Sequence, residues 1–273
     1  MRRYAPDTAE YVYDQPRHPS GSKGVLLQRT KTVVAGDHLD ADIYPVLDWQ
    51  YSREVRAQRK TPEQMARANK ARSFRTLVQL LNANFTDGDF KCDLSCAYDC
   101  EYEQFVKIKN NFIARLRRAY RKAGGELRCV GIIESTHEGM HHHIHMVCNG
   151  GVISRDQVEK IWRQGTANVD RVQTQFEDKG LEAFARYITR HKDTQEKLMH
   201  RGWFASKGLK KPRTTYNDSK FSRAAAARIE KAVREDARRE FEKRYPGWRL
   251  VDYSVHYSEF LPGVYIHAHM RRR

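Results

Sequence analysis

The chain has 273 residues, 31% of them charged, and Lys and Arg outnumber Asp and Glu by 50 to 34, for a formal charge of +16. That length builds a substantial core, as one large domain or one domain with extensions, and the cation surplus favours a polyanionic partner, because basic side chains displace the counterions around phosphates. No apolar run is long enough to span a bilayer, and no Gly-x-x-x-x-Gly-Lys-Ser/Thr loop is present, which argues against a built-in P-loop helicase.

Residues 1–60 carry many turn-formers, among them Pro6, Pro16, Pro19, Gly21, Gly24, Gly36 and Pro45. They read as an irregular arm with one short candidate strand at Val25–Gln28, ordered only where it lies on the core. The start Met1-Arg2-Arg3-Tyr4-Ala5-Pro6 lacks the apolar core of a secretory leader. Thr61-Pro62-Glu63-Gln64 then opens a helix over 61–82, with Thr61 as cap and Gln64 three residues on. Met65, Ala68, Phe74, Leu77, Val78 and Leu81 form its apolar stripe. A turn over Asn82–Asp89 leads to a strand over Phe90–Tyr98. An amphipathic helix over Glu101–Lys122 follows, with Phe105, Ile108, Phe112, Ile113, Leu116 and Tyr120 inward, and Gly124-Gly125 ends it.

Leu127–Glu134 reads as a second strand, Ser135–Met140 as a connection, and His141–Cys148 as a third strand. Four of the chain's twelve histidines fall within five residues here. On a strand, alternate side chains share a face, so His141, His143 and His145 point one way and His142, Ile144 and Met146 the other. Two imidazoles spaced like this on a rigid strand can grip one divalent ion. The antiparallel hairpin brings Glu134 near the start of the histidine strand, where a carboxylate could complete the ligand set.

Further on, a helix starts at Ser154 and runs to Trp162, Ala167–Phe176 reads as a strand, and Gly180–Lys192 as a helix with Leu181, Phe184, Ala185 and Ile188 buried. Tyr187, Arg190 and His191 share another face of that helix. A tyrosine beside two potential cations can attack a phosphate and have its charge steadied; a helix-boundary tyrosine is the plainer alternative. Lys207, Lys210, Lys211 and Arg213 form a basic loop after Trp203 and Phe204, a pattern that suits single-stranded nucleic acid. Ser219–Tyr245 reads as one long helix, and Trp248–Tyr257 with Gly263–Met270 as a closing hairpin. A second His-x-His, His267-Ala268-His269, is taken as structural. Five cysteines in spacings unlike a zinc finger point to free thiols in a reducing compartment.

Taken in order, an apolar strand, a strand ending in Glu134, the strand of His143-Ile144-His145-Met146-Val147 and a helix with Tyr187-Ile188-Thr189-Arg190 resemble the HUH endonucleases, specifically rolling-circle replication initiators of phages and plasmids. Ser206–Pro212 resembles a basic segment often found downstream in that family. The resemblance covers residues 61 to about 213. Three departures stand out: the first strand is not Thr-rich, Arg190 stands where Lys is common, and His191 stands where two-tyrosine initiators carry a second Tyr.

The resemblance implies an α+β fold, an antiparallel sheet with the histidine strand central and helices packed on it. It implies a one-tyrosine enzyme in which His143, His145 and Glu134 hold Mg²⁺ or Mn²⁺. Tyr187 would attack a single-stranded origin hairpin, leaving a 5′-phosphotyrosine and a free 3′-OH, with Arg190, His191 or Lys192 steadying the charge. Host helicase and polymerase would be its partners, no membrane would be involved, and the cytoplasm of a bacterial host would be its location. A transposase or relaxase of the same chemistry, a catalytically silent nucleic-acid-binding protein, and a structural zinc protein are the alternatives. The expected organisation is an arm over 1–60, a nickase core over 61–215, and a C-terminal helix and hairpin over 216–273.

Overall fold

The computed structural model describes residues 25–48, 61–136, 140–174, 179–189, 203–257 and 263–273. It is α+β, and its described strands form two five-stranded antiparallel sheets. The chain divides into two compact units, residues 80–210 and residues 1–79 with 211–273.

In the unit of residues 80–210, strands β3 (Phe90–Ser95), β4 (Cys129–Thr136), β5 (His141–Cys148), β6 (Ala167–Arg171) and β7 (Phe204–Ala205) run in the order β6-β3-β5-β4-β7. The histidine strand is therefore central, as expected, with β3 and β4 on either side. Helices α2 (Tyr102–Lys122) and α3 (Arg155–Trp162) cover one face. Phe105, Phe112, Leu116 and Tyr120 of α2 meet Cys92, Leu94, Ile144 and Met146 there, and Trp162 of α3 completes the core. Ser154 caps α3 in a capping box with Gln157. Gly131 on β4 is required by close approach: a Cβ there would lie 2.8 Å from the ring of Phe204 and 2.5 Å from Cβ of Met146. Helix α4 (Glu182–Thr189) belongs to this unit, buries Ala185 and Ile188, and is anchored where Asn82 Oδ1 accepts the Leu181 amide at 2.8 Å.

The other unit holds β1 (Val25–Ala35), β2 (His38–Leu47), β8 (Arg213–Asn217), β9 (Trp248–His256) and β10 (Tyr265–Arg272), in the order β8-β1-β2-β10-β9. Residues 25–47, which the turn-formers suggest are part of an irregular arm, are a hairpin. Its Gly36 takes φ +61, and of the two turn residues only that glycine is left-handed, which matches a type II′ turn. The predicted helix over 219–245 is two helices, α5 (Arg223–Lys231) and α6 (Arg234–Arg244). Ala232 and Val233 are extended between them, and the break lets Ala226 and Ile229 on one helix and Ala237 and Phe241 on the other reach the same core with Ile43 and Ala268. The closing hairpin of β9 and β10 forms as expected.

Helix α1 (Pro62–Asn84) starts at the predicted Thr61 box: the Thr61 amide donates to Gln64 Oε1 at 3.0 Å and the Gln64 amide to Thr61 Oγ1 at 3.2 Å. It runs through the division at Gln79. Its stripe is buried only from Leu77 onward, and Met65 is exposed.

Candidate active site

On β5 the alternation of a strand separates two kinds of histidine. His142 turns inward and is fully buried, bonded through Nδ1 to Ser135 Oγ at 2.7 Å and through Nε2 to the Cys100 carbonyl at 2.9 Å, with its ring 4.8 Å from Phe105. Burial holds its pKa below the ordinary value. That histidine is structural. His141, His143 and His145 line the other face, with ring centroids 4.9 and 6.4 Å apart.

His145 lies at the centre of the cluster. Its Nδ1 stands 2.6 Å from Asp93 Oδ1 and its Nε2 2.7 Å from Glu134 Oε2. Two carboxylates on opposite sides of one ring require both nitrogens to donate, the imidazolium state. Burial works against that charge, but the bonds to Asp93 and Glu134 outweigh it and raise the His145 pKa. Asp93 in turn is held below the usual carboxylate range: its partial burial opposes this, and the bond from His145 and the charge of Lys91 prevail. His143, directly opposite Glu134 in the β4–β5 register, is pushed down by burial and by its two histidine neighbours. His141 is held at its Nδ1 by Asp99 Oδ1, 2.8 Å away.

The Tyr187 ring of α4 stands edge-on to His145, centroids 5.5 Å apart and planes at 89°. Tyr187 is 38% exposed, so a substrate has access to it from solvent. Lys91 Nζ lies 5.4 Å from the centroid of the same ring and 3.3 Å from Asp93 Oδ2. The structure thus brings together His143, His145, Glu134 and Tyr187, all singled out from sequence. It adds Asp93 and Lys91, which sequence reasoning missed. Strand alternation alone puts Lys91, Asp93 and Ser95 on one face; only the register Asp93↔His145 says what that face meets.

The remaining candidates divide. Arg190, His191 and Lys192 lie outside the described residues. Lys207 and Lys210 are exposed in the unit of residues 80–210, and Lys211 and Arg213 are exposed in the other unit. The segment bearing Lys207 is pinned where Ser206 Oγ accepts the Cys129 amide at 2.9 Å, and Lys207 shares a groove with Arg117 and Arg121. All five cysteines are buried free thiols, with Cys92 and Cys148 Sγ 3.8 Å apart. Among the described residues no three His, Cys, Asp or Glu side chains stand together as a formed metal cage.

The donor set nevertheless fits a divalent ion in kind. His143, His145 and Glu134 share one face, and Asp93 holds Nδ1 of His145 as carboxylates commonly do behind metal-ligating imidazoles. The direct contact of His145 Nε2 with Glu134 is the place a proton fills and an ion would take. Two nitrogens and a carboxylate suit Mn²⁺ better than Mg²⁺, which prefers oxygen ligands and retained water.

A family model described as replication-associated protein ORF2, or gene-two protein, matches residues 92–192. The matched span takes in Asp93, Glu134, the histidine strand and Tyr187, and the match supports a role in replication initiation and an interaction with DNA. No curated protein and no solved structure matches the chain. No helix among the described residues is long and apolar enough to cross a membrane.

Proposed function

We propose that this chain is a replication initiator that nicks single-stranded origin DNA through Tyr187, in the manner of the one-tyrosine HUH endonucleases. The observation that carries the reading is the seating of an exposed tyrosine ring 5.5 Å from a histidine clamped between two carboxylates, inside the span matched by the replication family. Electrostatic support also comes from the +16 charge and from the groove of Arg117, Arg121 and Lys207, which suits a phosphate backbone.

In this reading Tyr187 Oη attacks the scissile phosphorus, the bond from phosphorus to O3′ breaks, and the strand is left as a 5′-phosphotyrosine with a free 3′-OH. The phenolic proton leaves to solvent or a nearby base, and the departing 3′ oxygen takes one up. Lys91, beside the ring, places a positive charge where the phosphate must sit. Asp93 and Glu134 fix the plane of His145. His143, His145 and Glu134 would hold Mn²⁺ or Mg²⁺, which when bound supplies polarisation of the phosphate oxygens. Energy conserved in the phosphotyrosine allows rejoining, and a hairpin origin presents the strand unpaired. Host helicase and polymerase would act after the nick, in the cytoplasm of a bacterial host.

The test is a denaturing gel of protein mixed with end-labelled single-stranded origin DNA and Mn²⁺. Wild type should form a covalent adduct that a chelator suppresses. Tyr187→Phe keeps the ring packing and should bind the strand but give no adduct. An adduct that persists in the Phe variant, or one mapped by mass spectrometry to another of the fourteen tyrosines, overturns the assignment.

A further inference from the structure

The second His-x-His, on β10, is held as the first one is. His269 lies opposite Asp40 of β2, and its Nδ1 stands 2.8 Å from Asp40 Oδ1. His267 lies opposite Asp42, and its Nδ1 stands 2.8 Å from Asp42 Oδ1. The two carboxylates are held on their far side as well: Gln79 Nε2 donates to Asp40 Oδ2 at 2.6 Å and Arg75 Nη1 to Asp42 Oδ1 at 2.9 Å. With its Nδ1 proton given to Asp40, His269 presents a lone pair at Nε2. That nitrogen faces Nδ1 of His38, 3.3 Å away, across two rings stacked with centroids 5.4 Å apart. His38 and His269 are 9% and 8% exposed.

Two nitrogens bound to one tetrahedral ion at about 2.0–2.1 Å stand roughly 3.3–3.4 Å apart. The His38–His269 spacing already has that value. The rigid Asp40 behind His269 is the arrangement that orients imidazole ligands and raises their basicity. We infer that His38 Nδ1 and His269 Nε2 form a binding site for a first-row transition-metal dication such as Cu²⁺ or Zn²⁺, with water completing the shell. Imidazole nitrogens select this class over Mg²⁺ or Ca²⁺, and Cu²⁺ stands highest in the affinity order. The site lies wholly in the unit of residues 1–79 and 211–273. It does not rest on the nicking reading.

The experiment uses the full chain carrying His143→Ala and His145→Ala, so that the first histidine strand does not compete. After chelator treatment, Cu²⁺ is added at one equivalent and the electron paramagnetic resonance spectrum is read for coupled nitrogens. Two imidazole nitrogens are expected, and Cu²⁺ should raise the unfolding temperature. His38→Gln should abolish both effects, and Asp40→Asn, which keeps the shape of the carboxylate, should weaken Cu²⁺ binding about 10–100-fold. Far-UV circular dichroism of each variant checks that the sheet is intact. Should a variant fail to fold, the nitrogen count in the parent decides alone. A parent spectrum without two coupled nitrogens, or a signal unchanged by both substitutions, overturns the site and assigns the pair to a hydrogen-bonded relay.

Discussion

Replacing Asp93 by Asn tests the part of the candidate site that the sequence did not reveal. The substitution keeps the size of the side chain and one oxygen able to accept from His145 Nδ1, but it removes the charge that meets that nitrogen at 2.6 Å. A hydrogen bond to a charged partner contributes about 1.5–3 kcal/mol. At about 1.4 kcal/mol per tenfold in rate, its loss corresponds to roughly 10–100-fold, the range also seen when a carboxylate behind a metal-ligating histidine is altered. Nicking of origin DNA by Asp93→Asn should therefore fall by that factor. Strand binding, measured by anisotropy in the presence of a chelator, should stay at the wild-type level, because Asp93 adds no attraction for phosphate. Raising Mn²⁺ should recover part of the loss if Asp93 acts by holding the ligand ring. A variant that nicks at the wild-type rate would refute the reasoning, since His145 would then need neither the charge nor the orientation that Asp93 provides.

Lys91→Met should slow adduct formation by roughly five- to tenfold, the size of about 1 kcal/mol from a cation beside an aromatic ring, with Lys91→Arg retaining most of the rate in a single-turnover assay. Neutralising Lys207 and Lys210 together should flatten the log–log salt dependence of strand binding by about 0.7 for each phosphate that the two lysines neutralise; an unchanged slope would assign both to solvent. Tyr245 is buried with its hydroxyl 2.8 Å from Thr32 Oγ1, and burial pushes its pKa up to about 12. The unfolded chain releases that proton near ~10, so stability is intact below about pH 10 and falls as pH rises toward 12, by on the order of 2–3 kcal/mol. Chemical denaturation at about pH 8 and about pH 11.5 should show that fall, and Tyr245→Phe should lack it while starting about 1 kcal/mol lower for the missing hydrogen bond.

What was legible in the sequence tracks where burial follows an apolar pattern. The strand His141–Cys148 and helices α2 and α3 bury the residues their periodicity names, so their bounds were read closely. The hairpin of β1 and β2 was missed because the buried positions of β1 include Gln28, Thr30 and Thr32, which give no alternating apolar signal. The break at Ala232–Val233 was missed for a different reason. Helix propensity is local, whereas the turn there serves a distant requirement, that Ile229 and Phe241 enter one core. Met65 fits the α1 stripe on paper, but a stripe is buried only where another element lies against it.

The same distinction separates the two His-x-His strands, which look alike as sequence. Both place the second histidine opposite an aspartate, Asp93 for His145 and Asp40 for His269, with Nδ1 to Oδ1 distances of 2.6 and 2.8 Å. Register supplies that partner in each case, and register is invisible to a motif of three residues. The difference lies in what else meets the ladder. At His145 the other ring nitrogen meets Glu134, and an exposed phenol and a lysine stand beside it, so a phosphate finds a nucleophile and a cation together. At His269 the other ring nitrogen meets His38, and Gln79 holds the aspartate behind it, so the ladder offers a lone pair and no nucleophile. Order along the chain pointed to the first strand only because Tyr187 follows it on a helix. The chemistry of each strand is set by the side chains that three-dimensional pairing delivers to it.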